Sequence, residues 1–154
     1  MADLFDDLEA RVARREAQLQ GAGRMEVARG LLREFVHFCA KHPELHRIMT
    51  IEGRSDTPRL AWLTETYTAR LFGAVAAMTP LVDPTIFRSP VELYYAIIGL
   101  AASTFTLAPE YRRLSGREPF DAEQVEAVCV LIERLVLGVE TDRPSPSASP
   151  PSLS

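Results

Sequence analysis

The sequence predicts an all-α protein, an antiparallel bundle of about six helices. Three observations lead there. Apolar residues recur at three- and four-residue spacing almost from end to end. No stretch alternates apolar and polar residues as a half-buried strand would. Prolines and glycines interrupt the periodicity at helix-sized intervals, and Thr57-Pro58 and Ser89-Pro90 pair a capping side chain with a proline suited to a first helical turn.

Each element follows in order. Residues 2–20 place Leu4, Leu8, Val12 and Leu19 on one side, and Gly21-Ala22-Gly23 ends that helix. Residues 24–42 carry Val27, Leu31, Phe35, Phe38 and Cys39 on an inner face. Pro43 must break this helix, because it has no N–H and biases His42 away from helical geometry. The pattern restarts at once in a short helix, Glu44–Thr50, with Leu45, Ile48 and Met49. After a loop at 53–56, Asp56 or Thr57 caps a third long helix that runs to about Met78. Its stripe is Leu60, Leu63, Tyr67, Leu71, Ala74, Val75 and Met78.

Thr79-Pro80 ends that helix, and Asp83–Arg88 is a loop. Ser89 caps a helix over 90–108 that is apolar almost all round and should be covered on more than one side. Its Gly99, Ala101, Ala102 and Ser103 allow another helix to approach closely. Pro109 stops it, and 109–120 reads as a connector. Asp121 caps the last helix, 121–138, with Val125, Val128, Cys129, Ile132, Leu135 and Val136 on one face. The folded domain is therefore 1–140. The Pro/Ser-rich tail, 141–154, has too little apolar material for a core and is predicted to be disordered.

Composition excludes several functions. The hydrophobic share of 47% and charged share of 25% suit a soluble globular domain. A net charge of −4 argues against direct nucleic-acid binding by these residues. Cys39 and Cys129 sit among apolar residues and read as buried, reduced thiols of a cytoplasmic protein. The apolar run Leu93–Ala108 holds Ser103, Thr104 and Thr106 and falls short of the roughly 20 residues of a membrane span, so no membrane is expected. No sequence motif for catalysis is present, so no enzyme and no cofactor are expected. His37, Cys39, His42 and His46 lie close in sequence, but Pro43 breaks their register, so no metal site is expected.

One resemblance extends this reading. The run FVHFCAKHPELHRIM at 35–49, PRLAWL at 58–63, SPVELYYAIIGLAASTF at 89–105 and LIERLVLGVE at 131–140 resemble the C-terminal, effector-binding half of TetR-family transcriptional regulators. LFDDLEARV at 4–12 is similar to the start of the long helix that follows the DNA-binding part in that family. The resemblance implies a homodimer formed by the last two long helices and a small, hydrophobic effector held between helices. The family's helix-turn-helix domain is not among these residues, so DNA contact is expected only through such a domain. LFDDL at the usual domain junction favours truncation over a wrong gene start or a lone sensor domain.

The expected ligand-binding residues are Phe35 and Phe38, Ile48 and Met49, then Trp62, Thr66 and Arg70, and finally Tyr94, Tyr95, Ile98 and Phe105. Arg70 is the polar anchor among them, through its planar fork of donors. The expected dimer residues are Gly99, Ala102, Val125, Val128, Ile132 and Leu135. The alternative is a standalone helical-bundle homodimer or protein-interaction module that binds no ligand.

Overall fold

The computed structural model describes residues 2–138. The tail expected to be disordered, 141–154, lies outside them. The fold is all-α, with no strand among the described residues.

The helices are α1 (Ala2–Gln18), α2 (Arg24–Lys41), α3 (Pro43–Glu52), α4 (Pro58–Leu63), α5 (Ala69–Ala76), α6 (Pro90–Thr106), α7 (Ala108–Ser115) and α8 (Ala122–Leu137). A single π-helical turn, Thr64–Thr68, joins α4 to α5 without a break, and Thr79–Leu81 forms a short 3-10 turn.

Local chemistry sets most of these ends. Gly21 takes the left-handed backbone (φ 88°) after α1. Thr57 accepts a hydrogen bond from the Leu60 N–H (3.1 Å), and Ser89 accepts one from the Glu92 N–H (3.3 Å). Asp121 occupies the position before α8, but its side chain makes no capping hydrogen bond. In place of one connector at 109–120 there is a helix, α7. Pro109 ends α6 and also suits the first turn of α7. Glu110 lies near the N-terminus of α7, Arg112 and Arg113 near its end, and Gly116 closes it at φ 68°. The chain bends by 76° between α6 and α7.

The third long helix also differs from a plain α-helix. In the π turn the Ala69 N–H reaches the Thr64 carbonyl, five residues back. The wider turn keeps Leu63, Tyr67 and Leu71, each four apart, on one face.

Helix α6 is central and packs against α2, α3, α5 and α8. Leu93, Ala101 and Phe105 on it are almost fully buried, as are Val36, Phe38, Leu63, Cys129 and Ile132 elsewhere. Each large buried side chain of this kind contributes about 1.5–3 kcal/mol of transfer free energy. Arg33 of α2 donates to Glu126 and Glu133 of α8 and ties those two helices together. Among the described residues no single helix is long and apolar enough to cross a membrane.

Candidate ligand cavity

The break at Pro43 is where the site begins. His42, at φ −130° and ψ 58°, is both the last residue of the α2 turn and the residue before α3. The redirection lets Phe35, Phe38 and Cys39 of α2 face the same space as Leu45, His46 and Met49 of α3. Helix α6 closes that space with Tyr94, Ile98 and Ala102. Thr68 and Leu71 enter from the π turn and α5, and Phe5 and Leu8 of α1 form the remaining wall. The cavity, partly open to solvent, is about 80 Å³.

No Arg, Lys, Asp or Glu lines it. The polar groups are His42, His46, Thr68 and Tyr94. His46 Nδ1 lies 3.0 Å from the Thr106 hydroxyl, and burial lowers the His46 pKa, favouring the neutral ring. Burial, with Tyr95 beside it, pushes the Tyr94 phenol up to about 12. Burial pushes the Cys39 thiol to about 12 as well, so Cys39 behaves as a small apolar side chain. The His42 ring lies tilted against Phe38 at 5.0 Å, with Nδ1 3.2 Å from Glu44 Oε1. Its Nε2 is buried without a hydrogen-bond partner and is 3.6 Å from Asp7 Oδ2, whose carboxylate is held by Arg11 at 2.9 Å.

Two further spaces adjoin this one. A smaller void of about 40 Å³ lies beyond Phe35 and Ile98, against Val12, Val75 and Ile97. An open groove of about 220 Å³ runs between α1 and α5, past Glu9, Tyr67, Arg70 and Ala74. Above the groove the Phe5 and Tyr67 rings stack at 4.4 Å.

Five of the expected ligand residues line the cavity: Phe35, Phe38, Met49, Tyr94 and Ile98. The other six do not. Trp62 is 53% exposed and Tyr95 68% exposed, so both face outward. Thr66 is half-buried and does not line the cavity. Trp62, Thr66 and Arg70 each precede a residue of the inward stripe by one, which rotates them about 100° from it. Arg70 is engaged elsewhere, donating to both carboxylate oxygens of Glu9 at 2.8 and 2.7 Å across the groove mouth. Ile48 is half-buried, and its neighbour Met49 takes the lining position. Phe105 is buried against Phe120 (5.8 Å between rings), away from the cavity.

Phe5, Leu8, His42, His46, Thr68 and Leu71 line the cavity without having been expected there. The two histidines had a readable signal. Phe38, His42, Leu45, His46 and Met49 continue one face at three- and four-residue spacing across the proline. Among the described residues no three His, Cys, Asp or Glu side chains converge as metal ligands would.

The expected dimer residues divide as well. Ala102, Val125, Val128 and Ile132 are buried within the chain's own core, so they are not available on its surface. Gly99 and Leu135 are exposed. Around them Tyr95 of α6 and Leu131 of α8 are exposed too, the latter 48%. Comparison of the chain with protein-family models, with curated proteins and with solved structures finds no match.

Proposed function

We propose that this chain is the effector-binding and dimerisation domain of a TetR-like transcriptional regulator and works in the cytoplasm. The observation that carries the reading is the apolar cavity walled by α1, α2, α3, α5 and α6, with a few polar groups in its lining. Such a lining suits a small, mostly hydrophobic effector. At about 80 Å³ the cavity is smaller than such a ligand, so burying one fully requires the walls to part. Phe5 and Leu8 make one of those walls, so an occupant that expands the cavity acts on α1. In a regulator of this kind α1 carries the displacement to the DNA-binding domains. Supporting the dimer are the outward apolar side chains Tyr95, Leu131 and Leu135 on α6 and α8, which a two-fold helical interface would cover.

Thermal unfolding against a panel of small hydrophobic compounds tests the sensor. A binding compound raises the melting temperature by mass action. Ala102→Leu, which fills the cavity from α6, should abolish that rise. A rise that survives Ala102→Leu, or none with any compound, overturns the reading. For the dimer, light scattering at micromolar concentration should return twice the mass of one chain, and a single-chain mass refutes it.

A further inference from the structure

We propose that the ligand is an uncharged, elongated apolar molecule with one hydrogen-bonding group, and that Leu71 sets the length it can have. This deepens the cavity reading above and rests on it.

The charge preference follows from what surrounds the cavity. No cationic side chain lines it to meet a carboxylate or phosphate, and no anionic one lines it to meet an amine. Burying an ion there without a counter-charge is costly. Arg70, the one guanidinium on α5, does not line the cavity and is already held by Glu9. The carboxylates of Asp7 and Glu44 flank His42 outside the lining, which further disfavours an anionic head; Asp7 is held by Arg11 and Glu44 by the His42 ring, so neither is free to pair with an amine.

A neutral polar group does find partners. His42 Nε2 has no hydrogen-bond partner and is sealed from the cavity, so a ligand hydroxyl reaches it when the walls part; the Tyr94 and His46 side chains line the same cavity from α6 and α3. A hydroxyl can both donate and accept, so it suits either imidazole tautomer.

Length is the second element. Leu71 alone lines the cavity, the smaller void and the groove under α1. It is half-buried at the junction of the three. Rotation of this one side chain joins them into a slot running along α1. A hydroxyl at His42 would then send an alkyl chain past Leu71 toward Val12 and Ala74.

Titration calorimetry with octanol, octanoate, octylamine and dodecanol tests both parts on the full chain. Octanol should bind, and octanoate and octylamine should bind at least about tenfold more weakly. Leu71→Ala should tighten dodecanol about tenfold by burying more methylenes, and Leu71→Phe should weaken it. Octanoate or octylamine binding as tightly as octanol, with loss in Ala102→Leu, overturns the uncharged class and leaves the cavity reading standing. Dodecanol affinity unchanged in both Leu71 variants overturns the length role. No binding of any of the four compounds, in wild type or variants, overturns this inference and, with a negative compound panel, the cavity reading beneath it.

Discussion

The seam between α2 and α8 and the seam between α1 and α5 are built differently. Between α2 and α8 the helices meet directly. Cys129 and Ile132 are fully buried, and Arg33 spans to Glu126 and Glu133. Between α1 and α5 lies the groove of about 220 Å³, bridged by the Phe5–Tyr67 stack and the Arg70–Glu9 pair. A close-packed seam cannot shift without losing contacts on both sides. A seam already separated by space can open or close while a ring stack and one exposed ion pair adjust. The α2–α8 seam is thus a scaffold, and the α1–α5 seam is where a ligand can widen the bundle at lower cost, with α1 still anchored on α2 through Arg11 and Glu34.

The largest expected effect separates the two sides by core truncation. Ile132→Ala removes a fully buried side chain from a filled region and should cost about 4 kcal/mol. Leu8→Ala removes a comparable side chain that borders both the cavity and the groove. Its atoms already lack neighbours on one side, so the loss should be about 2 kcal/mol. Urea unfolding of both variants measures the gap. Equal losses would mean that the α1 seam is packed as tightly as the other, and the contrast would collapse.

What could be read in the sequence followed the same division. Helix ends marked by Thr57-Pro58, Ser89-Pro90 and the Pro43 break were legible because their steric and capping chemistry is local. So were Phe35, Phe38 and Met49, which Pro43 turns toward one space. The π turn was not legible, since nothing in TETYT distinguishes it from an α-helical turn. The stripe Leu63, Tyr67 and Leu71 is nevertheless legible, and Trp62, Thr66 and Arg70 sit one residue off it, which turns them away from the cavity. Helix α7 is hard to read because it is short and mostly polar, although Pro109 in its first turn and Gly116 after its end mark it. On α8 the apolar coverage is broad, and breadth alone does not say which residues serve the chain's own core. Val125, Val128 and Ile132 serve it, while Leu131 and Leu135 do not.

The two arginines sharpen the contrast at smaller amplitude. Arg33 is the cationic partner of Glu133, whose side chain is only 11% exposed. Arg33→Ala leaves that carboxylate nearly buried with no counter-charge and should cost about 2 kcal/mol. Adding Glu133→Gln to that variant removes the stranded charge and should recover part of the loss. The Arg70–Glu9 pair has comparable geometry, but Arg70 is 69% exposed and Glu9 40% exposed. Water solvates both ions when the pair is broken, and salt screens them while it is intact. Arg70→Ala should therefore leave the urea midpoint unchanged within error. A clear destabilisation would mean that this pair clamps α1 to α5. A ligand would then have to break it before the groove could widen, and the low cost of moving α1 would no longer hold.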